Sequence, residues 1–178
     1  MARQHPSGLW PGLLPSVLLC TTVLEALRAG PRAGAALPHN LASGLALVTR
    51  SELLARERSA DARQLAVVAA YSGLEAVLYA LLSHATINRT TIRANGQVIG
   101  FDDALREYED ALVASGHLAA GRHVTGHHVL RSLTHIRDGV VHRGIEPTAA
   151  NTDQIVEATV AFCGEQVALV FGIDPRND

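Results

Sequence analysis

The chain has 178 residues and a formal net charge of −2, and all fifteen of its basic residues are arginines. Because lysine is absent, the chain can hold neither a G-x-x-x-x-G-K-[ST] phosphate-binding loop nor a catalytic lysine of the kinase or Schiff-base type. Its length fits one domain of roughly 100–200 residues, and 48% apolar with 4% aromatic residues predicts an aliphatic core. The two cysteines, Cys20 and Cys163, form no disulfide or zinc-binding pattern, which favours a reduced, cytoplasmic protein.

Residues 1–38 are predicted to form a variable N-terminal extension with one helix over residues 16–29. The apolar stretch 9–24 is interrupted by glycine and proline. It is too short and too broken for a membrane span of roughly 20 apolar residues. Arg3 ahead of it and small residues at 33–36 behind it leave a cleavable signal peptide as the alternative. We expect no association with a membrane.

Residues 39–174 are expected to form an all-α, antiparallel bundle, giving about five to six helices in the chain, with residues 175–178 as a tail. Apolar residues recur at helical spacing, which predicts helices over 40–58, 61–85, 102–115, 126–143 and 151–171. The second of these is almost entirely alanine or apolar, so it is predicted to be the central helix of the bundle.

Signals at the ends of these helices complete the predicted topology. Asp102 and Thr125 are predicted to cap the helices that follow them, and Gly144 is predicted to end the helix over 126–143. Between the second and third helices, Asn95-Gly96 lies between two short runs of strand-forming residues. Segment 90–99 is therefore predicted to be a small hairpin or an ordered loop.

The strongest local charge asymmetry lies in residues 117–144. The stretch contains four arginines and a single acidic residue, Asp138, so it carries a formal charge of +3 in a chain whose net charge is −2. Six of the nine histidines also lie here, between His117 and His142. Arginines interleaved with histidines that titrate near neutral pH predict a surface that binds anions.

A helical wheel divides the polar residues of this helix into two groups. One face carries Arg131, His135, Asp138 and His142, and the spacing of four allows the carboxylate of Asp138 to bond the imidazole of His142. Their shared face also raises the alternative of a helical metalloprotein, with His135, Asp138 and His142 as zinc ligands.

Arg137 falls instead at the margin of the apolar face, where its guanidinium needs an anionic partner. Glu75 of the central helix is one candidate for this partner. An ideal helix would hold Arg137 and His142 about 140° apart. The two side chains therefore act together only if Gly139 bends the helix or if they meet across an interface between two protomers.

Residues 137–142, Arg-Asp-Gly-Val-Val-His, match the R-x4-H motif of the HEPN superfamily, in which a polar residue usually follows the arginine. The surrounding segment 130–144 resembles the end of the family's motif helix, and 71–82 resembles its earlier long helix. Pro147-Thr148 leading into a final amphipathic helix completes the order. The resemblance covers roughly residues 40–171, in pattern rather than in identity.

This resemblance implies an all-α, homodimeric, metal-independent endoribonuclease that requires no cofactor. His142 would then act as general acid and base, Arg137 would hold the scissile phosphate, and Asp138 would orient the pair. The expected substrate-binding residues are Arg131, His135, Arg143 and Glu75. The expected partners are RNA, a second copy of the chain and an antitoxin protein, in a toxin–antitoxin or phage-defence setting.

Two positions depart from the family's pattern. Tyr79 stands where some members carry a lysine, and Gly144 stands where other members carry a tyrosine that receives a nucleotide, so that modification is not expected here. Besides a ribonuclease and a metalloprotein, the sequence leaves open a HEPN module that binds RNA, a nucleotide or a protein without cleaving it.

Overall fold

The computed structural model describes residues 39–172, so the predicted helix over 16–29 and the tail at 175–178 lie outside the described residues. The described part of the chain forms five helices: α1 (His39–Glu57), α2 (Ala60–Ser83), α3 (Phe101–Ala114), α4 (His127–Arg143) and α5 (Ala149–Phe171). The predicted all-α bundle is confirmed, and each predicted helix within the described range is present.

Helix α2 is the central helix, as its composition predicted. It packs against each of the other four helices, and its aliphatic side chains Leu74, Val77, Leu78 and Leu81 are fully buried. Both α2 and α5 are long and apolar enough to cross a membrane by length and composition alone. About two thirds of each apolar window is buried inside the bundle, however. The protein core therefore accounts for the apolar character of both helices.

The backbones of α1 and α2 touch where they cross at Gly44 and Gly73. A Cβ atom added to Gly44 would lie 2.8 Å from the carbonyl oxygen of Gly73, and a Cβ added to Gly73 would lie 2.8 Å from that of Gly44. Real Cβ atoms essentially never approach so closely. Glycine usually weakens a helix by about 1 kcal/mol relative to alanine. Here the two glycines allow the backbones of α1 and α2 to come into contact.

The ends of α3 and α4 differ from the prediction. Gly100 is the N-cap of α3 and Asp102 lies in its first turn, so the predicted Asp102 cap is wrong. Gly126 is the N-cap of α4, with φ of 76°, so the predicted Thr125 cap is also wrong. That left-handed conformation favours glycine over threonine. Gly144 ends α4 in the left-handed conformation with φ of 63°, as predicted.

Segment 90–99 is an ordered turn with a single antiparallel bridge between Ile92 and Val98. It forms no strand, and both bridge residues are exposed. At the end of the segment, the buried Ile99 accepts a hydrogen bond through its carbonyl oxygen from the Tyr79 hydroxyl at 2.7 Å. This bond attaches the turn to the central helix.

Candidate functional site

Arg137 is held between α4 and the central helix. Its guanidinium carbon lies 4.2 Å above the centre of the Tyr71 ring, a cation–π contact. Its Nη1 atom donates a hydrogen bond of 2.7 Å to Asp138 Oδ1. The side chain is 27% exposed, so the contacts on two sides fix the guanidinium while part of it still faces solvent.

The predicted pairing of Arg137 with Glu75 is wrong. In the described chain Asp138 is the only carboxylate that forms an ion pair with Arg137. The Tyr71 hydroxyl instead donates to Glu75 Oε1 at 3.2 Å, and the Tyr79 hydroxyl lies 3.3 Å from the same oxygen. The physical reason is that Tyr71, one turn before Glu75 on α2, occupies the position facing the guanidinium. Tyr71 thus contacts both groups, since its hydroxyl donates to Glu75 and its ring packs against the Arg137 guanidinium.

Both tyrosines stay protonated well above neutral pH. Burial raises the pKa of Tyr71, and the charge of Glu75 raises it further, while the Arg137 guanidinium acts in the opposite direction. Burial first, and then the Glu75 carboxylate, raise the pKa of Tyr79 to about 12. The Tyr71 proton remains available to Glu75, and the Tyr79 proton goes to the nearer acceptor, the carbonyl oxygen of Ile99.

His142 lies exposed in the last turn of α4. Its imidazole has no hydrogen bond or ion pair within residues 39–172. It does not donate to Asp138 as expected, because that carboxylate accepts from Arg137. Helix α4 continues without interruption through Gly139. No contact joins His142 to Arg137 in one described chain, so this chain alone does not bring the two motif side chains together.

His135 and Arg143 line a groove of about 290 Å³ between α4 and the start of α5. Gly139 lies between them on the helix, where an added Cβ would meet the Ile145 side chain at 3.3 Å. Arg131, the remaining predicted binding residue, is exposed and has no ion pair within the described range. The structure thus places the predicted substrate-binding residues in three separate surroundings.

A second polar cluster, which the sequence analysis missed, lies at the opposite end of α4. Glu109 of α3 is buried, and its two carboxylate oxygens accept from His127 Nδ1 at 2.8 Å and from His123 Nδ1 at 3.1 Å. The backbone N–H of Val124 also donates to Glu109, at 3.1 Å. The spacing His123-x3-His127 is visible in the sequence, but no spacing rule connects it to a carboxylate on another helix.

The alternative prediction, a zinc site formed by His135, Asp138 and His142, is wrong because these side chains do not form a converging group. Among the described residues, Glu109, His123 and His127 are the only group of three or more potential metal-binding side chains whose ligand atoms converge, all within 4.8 Å of one another. A shared helix face aligned the three predicted residues, but their side chains do not converge on one point.

No protein-family model, curated protein or solved structure matches this chain.

Proposed function

We propose that the protein is a cytoplasmic, metal-independent endoribonuclease of the HEPN type that acts as a homodimer. One observation carries the proposal: α4 presents a guanidinium fixed by Tyr71 and Asp138, and five residues further on an exposed imidazole without an intramolecular partner in the described chain. The first group suits a phosphate and the second suits proton transfer. These are the two chemical requirements of RNA cleavage without a metal ion.

Arg137 is suited to hold the phosphate. A guanidinium carries five N–H donors in a planar fork that matches two phosphate oxygens. One of these donors is used by Asp138, and the contact with Tyr71 limits the rotation of the side chain. A fixed cation of this kind stabilises the negative charge that develops on phosphorus oxygens in the transition state without having to reorganise.

His142 supplies the proton transfers. One neutral imidazole removes the proton from the ribose 2′-hydroxyl, whose oxygen attacks the adjacent phosphorus and forms a new P–O bond. The bond from phosphorus to the 5′-oxygen breaks, and a second, protonated imidazole donates a proton to that leaving oxygen. The products are a 2′,3′-cyclic phosphate and a free 5′-hydroxyl. One chain supplies one His142, so the second imidazole comes from a partner protomer.

The surface around His142 supports association with a second copy. Val141 and Ile145, on either side of it, are both exposed by about half of their area. Burying such side chains against another protein stabilises association. A twofold contact through this surface would place two His142 side chains around one cleft. An antitoxin protein that inhibits the enzyme would be expected to cover the same surface.

The direct test is incubation of purified protein with structured and single-stranded RNA in EDTA. We expect fragments that end in 2′,3′-cyclic phosphate, and we expect them to disappear in His142→Ala. The matched control is His128→Ala, which removes another exposed histidine from the same helix and should cleave at the wild-type rate. Wild-type cleavage by His142→Ala, or the absence of cleavage by the wild-type protein, would contradict a ribonuclease centred on His142.

The second candidate is a module that binds RNA without cleaving it. The observation in its favour is that Arg137 is already ion-paired with Asp138 and has no contact with His142 within one described chain, while His135 and Arg143 line a separate groove. This candidate predicts retention of RNA on the protein with no cleavage. It also predicts weaker retention by Arg143→Ala.

A further inference from the structure

We infer that Glu109, His123 and His127 form a zinc-binding site with one coordination position open to solvent. The site is separate from the surface proposed for RNA. His127 and His142 are fifteen residues apart on α4, which corresponds to about 22 Å along the helix axis at 1.5 Å per residue. The inference therefore does not depend on the proposed ribonuclease activity.

The convergence of three donor groups is the first step of the argument. The side chain of Glu109 is 9% exposed and that of His127 is 10% exposed, whereas His123 is 51% exposed at the rim. The bond of Glu109 to the N–H of Val124 fixes its carboxylate at this position. Two buried ligands and one at the surface make a site that is shaped by the fold and remains accessible to an ion.

The distances fit one zinc ion once the His123 side chain moves away from His127. Two ligand atoms at about 2.0–2.2 Å from zinc lie about 3.3–3.6 Å apart in a tetrahedral site. The two N···O distances from Glu109 are 2.8 and 3.1 Å, so each must widen by a few tenths of an ångström. The stacked rings of His123 and His127, with centroids 3.8 Å apart, would separate to about 5 Å, because tetrahedral ligands diverge from the ion. His123 can make this movement because it lies in the exposed connection before α4.

The proton balance also permits binding. Each Nδ1–H now donates to a carboxylate oxygen. When zinc binds at Nδ1, each neutral imidazole carries its proton on Nε2 instead, and the carboxylate oxygens accept the ion in place of the two hydrogens. The step requires no net release of protons from neutral histidines. A buried carboxylate with a formal negative charge offsets one of the two positive charges of the ion.

The chemistry of the donor set selects zinc over the alkaline-earth ions. Two imidazoles and one carboxylate suit zinc, whereas Mg²⁺ and Ca²⁺ prefer sites built from oxygen ligands. A pair of histidines with one glutamate is also a set that leaves the fourth position of zinc to a water molecule. Beside it is a solvent-connected cavity of about 250 Å³ lined by His123, Gly126, His127 and His128. A small anionic or carbonyl ligand could therefore reach the open position.

The test is a titration of the EDTA-stripped and desalted full-length protein with Zn²⁺ in the presence of a chromophoric chelator. We expect one high-affinity zinc ion per chain, with no competition from millimolar Mg²⁺. His123→Ala should weaken binding at least tenfold, and because this side chain is half exposed, the variant should keep the wild-type circular dichroism spectrum. Substitution with Co²⁺ should give the visible absorption of a four-coordinate site.

Two control variants identify the site. His128→Ala removes a neighbouring histidine whose ring is 5.4 Å from that of His127, and His142→Ala removes one at the far end of α4. Both should bind zinc like the wild type. Sub-stoichiometric binding by the wild type, unchanged binding by a folded His123→Ala, or an equal loss in His142→Ala would each overturn the inference. Cleavage of RNA in EDTA is measured separately, so the failure of one proposal does not affect the test of the other.

Discussion

The two ends of α4 carry similar residues in opposite physical states. At its first residue, His127 is buried, stacked on His123 and bonded to Glu109. In its last turn, His142 is exposed and has no polar partner within the described range. Asp138, four residues before His142, is bound to Arg137 instead. Histidine-rich composition alone therefore does not distinguish the two ends, since a carboxylate from a neighbouring helix creates the difference.

The two regions differ in how completely one chain assembles them. The cluster around Glu109 is complete within one chain, and its donors already converge on one point. Within one described chain Arg137 is held by Tyr71 and Asp138, and His142 makes no hydrogen bond or ion pair. The first region is expected to contribute strongly to stability, and the second to contribute mainly to activity.

The largest expected effect is on cleavage by Arg137→Ala. Removing the fixed cation should lower the single-turnover cleavage rate by about 10²–10³-fold, as loss of a transition-state donor typically does. Arg137→Lys should recover only part of the rate, because an ammonium group lacks the planar fork. The control is Arg131→Ala, an exposed arginine on the same helix, which should lose less than about tenfold. Equal losses in the two alanine variants would remove the special role assigned to Arg137.

The next effect is on the stability of the two regions. Glu109→Ala should lower the free energy of unfolding by about 2–4 kcal/mol, because the buried His127 and the N–H of Val124 both lose their acceptor. Glu75→Ala should cost about 1 kcal/mol, since Glu75 is only partly buried and Tyr79 retains its bond to Ile99. Urea denaturation in EDTA measures both values. A larger loss in Glu75→Ala would reverse the assignment of the two regions.

A variant distant from both ends separates stability from activity. Gly44→Ala should lower the free energy of unfolding by about 1–3 kcal/mol, because the added Cβ drives α1 away from α2. The cleavage rate per folded molecule should not change. Gly100→Ala is the control: an added Cβ there meets no atom within 4 Å, so only the small preference for glycine over alanine at an N-cap is lost. Thermal and urea unfolding of the pair would show whether the close crossing limits stability.

The last effect concerns alkaline pH. The chain has three tyrosines and no lysine, and the pKa values of Tyr71, Tyr79 and Tyr108 are all raised. A raised folded-state pKa contributes stability that is present below the unfolded value of about 10. For Tyr79 it is lost as pH rises through about 12. Stability should therefore fall between pH 10 and 12, and Tyr79→Phe should reduce the fall.

The same variant should cost about 0.5–1.5 kcal/mol at neutral pH through the lost hydrogen bond to Ile99. Measuring the free energy of unfolding of both proteins from pH 7 to pH 12 separates the loss of the hydrogen bond from the ionisation of the Tyr79 hydroxyl. An identical pH dependence in Tyr79→Phe and the wild type would show that this hydroxyl is not the group whose ionisation is coupled to unfolding.

The helices were predictable because each one repeats its apolar residues with its own local period. The stripe through Leu74, Leu78 and Leu81 predicted a helix and its burial together, and α2 is indeed central. Caps were less predictable, because several residue types compete at adjacent positions. Gly100 and Gly126, rather than the neighbouring Asp102 and Thr125, begin α3 and α4.

The candidate site was predictable only where its residues lie on one helix. The sequence placed Arg137 at the margin of the apolar face, and the structure finds it half-buried against α2. The sequence did not predict that Tyr71 would contact Arg137. The choice between Tyr71 and Glu75 depends on how α2 and α4 are rotated relative to each other. Glu109 was missed for the same reason: its partners lie fourteen and eighteen residues away, on the far side of a connection.

The sequence by itself determined the all-α class, the order of the helices, the central position of α2 and the basic character of residues 117–144. These properties follow from local periodicity and composition, which require no knowledge of neighbouring elements. Only the tertiary structure decided that Asp138 rather than Glu75 pairs with Arg137, that Gly44 and Gly73 let two backbones touch, and that Glu109 joins two histidines. The position of Glu75 relative to Arg137, the contact of the two glycines and the Glu109 cluster each depend on the distance and rotation between two helices. The packing of the whole core sets these quantities, and no single segment encodes them.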